Sequence, residues 1–359
     1  MKKTPLDDLR AAVKERDREL VRLLNERAKL SVEIGRVKAV QNRPVYDPAQ
    51  EAEVYARLEA LNEGPLTGPA LRDVFREILS QSRALQTPMT VAYLGPEASF
   101  SHLAALSHFG RQARYVHAAT IAEVFDAAEK DKGVWGIVPV ENSTEGAVKR
   151  TLDRLMTTPL TIRAERFLRI TLCLMAQRSG RKGIRRIYSH PQALAQCRGW
   201  LDRNVPRAER LEVASTAAAV RKAQEEKDAA AVGSPMAAEA YGLKVVAAGI
   251  EDSPWNTTRF FVIGRGEGEP TGRDKTSILF GTPHVPGTLL NALEPLAREG
   301  VNMTRIESYP LRDRMWEYLF FVDFLGHRRD EKVRRCLAEM AAKTTLIKIL
   351  GSYPQGEEA

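Results

Sequence analysis

From Leu6 to Val37 the chain carries a seam that only a long helix satisfies. Leu6, Leu9, Val13, Arg16, Leu20, Leu23, Arg27, Leu30, Ile34 and Val37 follow one another at alternating three- and four-residue steps. That spacing puts all of them on one helical face over about four heptads, so an unbroken helix is expected across 5–40, packed against other helices. Gly35 costs about 1 kcal/mol relative to Ala but does not stop the helix. Pro44 and Pro48 end the pattern. Shorter helices are expected over 48–62 and, after the Gly64-Pro65 and Gly68-Pro69 breaks, over 69–86.

The character changes at Thr87-Pro88. TVAYLG (90–95), VWGIVPV (134–140), IRRIYS (184–189), LEVAS (211–215) and AAAVGS (229–234) read as strands. Helical stretches near 146–156, 191–203 and 216–226 alternate with them, which predicts α/β architecture with mainly parallel sheets. TRFFVIG (258–264) closes this segment, and the Gly- and charge-rich GRGEGEPTGRD (264–274) reads as a linker. Beyond it the expected order is strand 276–281, helix 287–299, strands 302–309 and 317–325, helix 330–341 and strand 345–352. That βαββαβ order is the ferredoxin-like arrangement. The expected domains are therefore an all-α unit over 1–87, a two-lobed α/β unit over 88–266 and an α+β ferredoxin-like unit over 274–354.

Composition narrows the function. At 359 residues two or three domains are expected, and 43% apolar with 28% charged residues suits a packed soluble protein. No apolar run approaches the roughly 20 residues that span a bilayer, and MKKTPLDDLR lacks the apolar stretch of a secretory signal. Cys173, Cys197 and Cys336 are odd in number and lack metal-ligand spacing, so reduced thiols in a cytoplasmic protein are expected. The six histidines form no HxxxH or HExxH pair, and neither metal nor cofactor is expected. A net charge of +8 and a pI near 9.4 fit nucleic acid or small polyanions. The basic residues are spread along the whole chain without a basic or aromatic-rich cluster, which argues against nucleic acid.

Arg27 interrupts the apolar seam. Lys38 lies eleven residues on, about 16 Å away on nearly the same face, and two long cations leaning together leave room for a small dianion. Arg10 is about 25 Å from Arg27 along the axis and reaches that site only from an antiparallel partner helix. LDDLRAAVKERDRELVRLLNERAKLSVEIGRVK, RPVYDPAQE and SQSRALQ together resemble the all-helical chorismate mutases, over essentially all of 5–86. The resemblance implies an intertwined homodimer with Arg10 donated across subunits. It implies Arg27 and Lys38 on the carboxylates and ether oxygen of chorismate, and Asp47 and Glu51 lining the site, with Glu51 facing the ring hydroxyl. Ser82 and Gln86 come from the last helix, Gln86 near the ether oxygen. The family often has Arg immediately before that glutamate. Gln50 stands there instead, which implies a missing ion pair and lower activity.

In the central segment, GPEASFSH (95–102), PVENSTEG (139–146), YSHPQALAQC (188–197), the STA at 215–217 and NTTRF (256–260) stand at strand-to-helix switches, where open α/β sheets bind ligands. Together they resemble prephenate dehydratase over about 90–264. The resemblance implies two lobes with the site between them. Thr258 is the expected proton-handling residue and Arg259 the holder of a prephenate carboxylate. Asn142, Ser143, Thr144, Ser189, Gln192 and Thr216 are expected to line the cleft, and no role is assigned to Glu141. His190 and His102 read as helix-start residues rather than acids. GPEAS stands where GPEGT is usual, and Ala98 and Ser99 are expected to be conservative replacements.

VPGTLLNAL (285–293), NMTRIESYP (302–310) and WEYLFFVDF (316–324) resemble an ACT domain, the small module that binds amino acids. The resemblance implies feedback inhibition by phenylalanine, bound at a dimer interface through Gly287, Leu289, Asn302 and Glu307. Tyr309 replaces the family's usual arginine and is expected to add an aromatic wall to that site. The competing reading is an amino-acid sensor on a degenerate enzyme scaffold. Retention of Arg27, Lys38, Glu51, Gln86, Thr258 and Arg259 favours an enzyme, because a sensor has no need of both sets.

Overall fold

The computed structural model describes residues 4–310 and 318–356. Helix α1 (Pro5–Val40) opens with a reciprocal Thr4–Asp7 capping box and runs unbroken through Gly35. Asp47 caps α2 (Pro48–Ala60) and Thr67 caps α3 (Gly68–Gln86). Only the C-terminal half of α1 is paired, against α3. Gly35 makes that contact close: a Cβ there would lie 2.7 Å from Gln86 Cγ. Ser31 is the one buried residue of α1, and Leu6, Leu9, Val13, Leu20, Leu23, Leu30, Ile34 and Val37 remain 46–67% exposed.

The α/β segment runs β1 (Thr90–Leu94), α4 (Phe100–Phe109), β2 (Arg114–Ala118), α5 (Ile121–Lys130), β3 (Val134–Asn142), the short β4 (Gly146–Ala147), α6 (Lys149–Thr157) and β5 (Thr161–Arg169). It crosses into a second lobe of β6 (Cys173–Ala176), β7 (Arg186–Ser189), α7 (Pro191–Gln196), α8 (Arg198–Asn204), β8 (Glu209–Glu212), α9 (Thr216–Glu225), β9 (Ala229–Gly233), α10 (Pro235–Ala240) and β10 (Lys244–Ala248). It then returns through β11 (Thr257–Gly264). The first sheet has the order β2-β1-β3-β11-β5 and the second β10-β6-β9-β7-β8.

Both sheets are mixed rather than mainly parallel. The returning β11 slots between β3 and β5 antiparallel to each, and β6 runs antiparallel to β9 and β10. Strands β2, β4, β5, β6 and β10 were not expected. Arg163 and Glu165 make β5 look like a surface segment, yet both are 4% exposed. The single helix expected over 191–203 is two, meeting at Cys197.

The C-terminal unit follows the expected order: β12 (Asp274–Gly281), α11 (Thr288–Arg298), β13 (Met303–Pro310), β14 (Tyr318–Leu325), α12 (Glu331–Lys343) and β15 (Leu346–Pro354), with sheet order β13-β14-β12-β15. Trp316 and Glu317 of the WEYLFFVDF motif lie outside the described residues. One face of this sheet carries both helices over Ile278, Phe280, Val322 and Phe324. The other face shares a core with the first lobe, where Leu279, Phe321, Leu350 and Tyr353 meet Leu152, Leu155, Ile162 and Phe261. The 264–274 segment is docked rather than free. Arg163 donates to the Arg265 carbonyl, Glu267 pairs with Arg328 at 2.6 Å, and Glu269 pairs with Arg329 at 2.5 Å.

Candidate active sites

Where α1 crosses α3, the structure gathers six of the expected residues. Arg27 Nη1 donates to Ser82 Oγ at 2.6 Å, and Lys38 Nζ donates to the Val45 carbonyl at 2.8 Å. Asp47 accepts from the Ala49 and Gln50 amides, and Glu51 follows one turn later. The Gln86 side-chain oxygen is buried without a protein partner. Burial pushes the Lys38 ammonium below its usual range, with Asp47 opposing, and it lowers Arg27 too, with nearby Arg57 adding to the effect. Half-desolvated cations of this kind gain most when a dianion arrives. Burial also raises Glu51, against the charge of Arg83. Gln50 turns away to Glu53 at 2.9 Å, and Arg83 supplies the ion pair to Glu51 instead. Arg10 is exposed and does not join the cluster within one chain.

Between the lobes, the register pairs Thr258 with Asn142 and Arg259 with Glu141 on neighbouring strands. Strand alternation sends the first pair to one face and the second to the other. On the cleft face, Asn142 Nδ2 donates to Thr258 Oγ1 at 2.9 Å and to Asn256 Oδ1 at 3.0 Å. Its oxygen accepts from the Thr144 amide at 3.0 Å and hydroxyl at 2.6 Å. With both donors and both lone pairs engaged, Asn142 supports Thr258 rather than offering a group to substrate. Because Thr258 Oγ accepts from Asn142, its own hydrogen is left to point elsewhere.

Ser143 ties the loop to the Trp255 carbonyl and the Thr257 amide. Gln196 and Asn256, not among the predicted site residues, bridge the lobes. Gln196 donates to Glu145 at 3.1 Å and accepts from Asn256 at 3.1 Å. Both stand inside the quoted SHPQALAQC and NTTRF motifs, which was the available signal. His190 caps α7 by accepting from the Gln192 amide, and Gln192 itself is exposed. Thr216 begins α9 and packs over Gly233, where a Cβ would collide with its methyl.

Three expectations need correction. Ser189 is fully buried, donating to the Val232 carbonyl at 2.8 Å, so it clamps β7 to β9 and does not line the cleft. Arg259, expected to hold a substrate carboxylate, points away from Thr258 into a buried network. It bonds Glu165 at 2.6 Å and Asp323 of β14 at 2.5 Å, while Lys275 of β12 holds Glu165 at 2.8 Å. Glu141 likewise faces backward, 2.9 Å from Arg305 of β13. Ala98 has φ 60°, the left-handed region that favours glycine, so its replacement of glycine is not conservative for the backbone.

The chorismate mutase type II family matches residues 9–87, prephenate dehydratase matches 91–268, and the ACT domain matches 276–342. A bifunctional chorismate mutase/prephenate dehydratase of Aquifex aeolicus is 44% identical over 98% of both chains. The chain belongs to the bifunctional chorismate mutase/prephenate dehydratase family. It has both activities, rearranging chorismate to prephenate and converting prephenate to phenylpyruvate with loss of CO2 and water. Among solved structures, the Arthrobacter aurescens prephenate dehydratase in complex with L-Phe is 34% identical, with TM-score 0.67, covering 74% of this chain and 90% of that one. GqqA, described as a novel type of quorum-quenching acylase, is 32% identical with TM-score 0.68, covering 74% of this chain and 97% of that one.

In the ACT domain, Gly287 begins α11 with φ 83°. Leu289 lines an adjoining cavity of about 380 Å³ with His284, Val285, Thr288, Tyr318 and Phe320. Asn302 stands past the far end of α11, and Glu307 shares the β13 face that Arg305 turns toward the dehydratase. One chain therefore does not bring these two to Gly287 and Leu289. Tyr309 is 5% exposed and donates to Asp153 of α6, so it packs on the dehydratase and forms no wall of the cavity.

Proposed function

We propose that each mutase site uses Arg27, Lys38, Asp47, Glu51, Ser82 and Gln86 of one chain with Arg10 of a second copy. The exposed apolar seam of α1 supports this reading, since a helix about 54 Å long with one unpaired face needs a partner. The rearrangement breaks the ether C–O bond as a C–C bond forms, with no proton transfer. Lys38 and Gln86 face the charge that develops on the ether oxygen, and the arginines hold the carboxylates in the compact conformer.

In the dehydratase cleft, Thr258 hydrogen-bonds the ring hydroxyl and relays the proton it takes up to leave as water as CO2 is lost. Asn142 orients Thr258, with Ser143, Thr144, Gln192 and Thr216 around the opening. A hydroxyl has too high a pKa to act as a strong acid, so positioning and relay are its contribution.

Phenylalanine inhibits by binding at the ACT cavity beside Gly287 and Leu289. The observation that carries this reading is the strand pair itself. The ACT sheet grips Arg259 and Glu141, the immediate neighbours of Thr258 and Asn142. An effector that favours one placement of that sheet therefore favours one placement of the catalytic pair. Supplying purified protein with chorismate and following prephenate and phenylpyruvate, with and without phenylalanine, tests all three parts. Phenylpyruvate formation that is indifferent to millimolar phenylalanine rejects the regulatory part.

A further inference from the structure

Arg83 belongs to no site expected from the sequence, yet it touches both enzyme domains. It follows Ser82 on α3, with its side chain 5% exposed. Nη1 pairs with Glu51 Oε1, while Nη2 donates to the Phe109 carbonyl at the end of α4 in the dehydratase. The guanidinium lies over the Tyr46 ring, 5.4 Å from its centre, and the Tyr46 hydroxyl bonds His108 of α4 at 2.5 Å.

We propose that Arg83 is a positioning residue of the mutase reaction, fixing the Glu51 carboxylate toward the ring hydroxyl of chorismate from an anchor on the dehydratase domain. This rests on the reading of Glu51 as a mutase site residue. A guanidinium fork holds two acceptors at a fixed mutual angle, so Glu51 is set relative to the Phe109 carbonyl and not only to α2. Arg83 engages Oε1 and leaves Oε2 to accept from the hydroxyl. Finally, the carboxylate must be ionised to accept. Burial raises its pKa, Arg83 provides the largest opposing charge, Lys38 assists, and Asp47 works against both. Tyr46 and Tyr55 also face it and stay neutral, their own hydroxyls pushed upward chiefly by burial.

The test uses full-length Arg83→Met, Arg83→Lys, Glu51→Gln and the Arg83→Met/Glu51→Gln double variant. Each is assayed for mutase on chorismate and for dehydratase on supplied prephenate, across pH. Arg83→Met is expected to lower mutase kcat/KM about 10- to 100-fold, as for loss of a charged hydrogen bond. The loss should be greatest at low pH and shrink as pH rises and Glu51 ionises without its partner. Arg83→Lys should restore part of the rate and part of the pH profile, and it also serves if the Met variant does not fold. The double variant should be no slower than Glu51→Gln alone. Dehydratase activity should stay within about twofold of wild type, as for a site that Arg83 does not enter. Parallel loss of both activities, a pH-independent deficit, or additive losses in the double variant would overturn the role of Arg83. Full mutase activity in Glu51→Gln would instead remove the Glu51 reading on which it rests.

Discussion

In the mutase domain, Arg27 and Lys38 stand on a helix whose apolar seam faces solvent, with Arg10 about 25 Å away on the same helix. In the dehydratase, Thr258 is 9% exposed and already held by Asn142 from the adjacent strand. The difference follows from what each reaction needs. Cations for a dianion repel one another, and they are costly to gather and bury without their counter-charge. In the site proposed above one of them comes from another chain, which would spare a single domain that cost. Hydroxyls and amides are neutral and satisfy one another, so a site made from them is preorganised within one fold.

The largest effects should come from the mutase site, proposed to be shared between chains. Arg10→Ala and Lys38→Ala are each expected to lower mutase activity about 10²- to 10³-fold, the range for loss of one preorganised donor, with dehydratase activity nearly intact. A comparable fall in both activities would erase the contrast between the sites.

Arg259→Met removes the ion pair to buried Asp323, which keeps the Ser277 hydroxyl, and leaves Glu165 paired with Lys275. It should destabilise the dehydratase–ACT unit by about 3–5 kcal/mol, seen in urea unfolding, while the KM for prephenate changes little. A large rise in KM with unchanged stability would return Arg259 to the substrate.

Thr258→Val keeps the shape and removes the hydroxyl. A kcat loss of about 10²-fold or more is expected on prephenate, with little change in KM. Near-normal kcat would show that the hydroxyl is not chemical. The smallest effect concerns the backbone. Ala98→Gly should stabilise the dehydratase by up to about 1 kcal/mol, because glycine adopts positive φ without the Cβ clash. A loss of stability would mean that burial of the Ala98 methyl outweighs the strain.

The sequence made the mutase domain legible because helical periodicity and caps are local signals. The seam from Leu6 to Val37, the Asp47 cap and the Pro breaks place α1, α2 and α3 within two residues of their observed ends. The ACT order was legible for the same reason. The mixed sheets were not, since the insertion of β11 between β3 and β5 depends on a pairing almost a hundred residues apart. Motif proximity also misled. Thr258 and Arg259 are adjacent in sequence and so face opposite sides of a strand, which ties one to the cleft and the other to the ACT domain. Tyr309 was misplaced likewise: nothing in ESYP indicates that its face of β13 meets α6. Arg83 lies in SQSRALQ beside the expected Ser82, but its partners Glu51 and Phe109 are each more than twenty residues away.

Complementation tests directly whether the mutase site needs two chains. Arg10→Ala and Lys38→Ala proteins, each inactive as a mutase, are mixed in equal amounts and allowed to exchange subunits before chorismate is added. In a two-fold dimer, half of the molecules become hybrids with one complete site, so mutase activity should recover to about a quarter of wild type. Dehydratase activity should be unaffected by mixing. No recovery after demonstrated subunit exchange would contradict a site shared between chains.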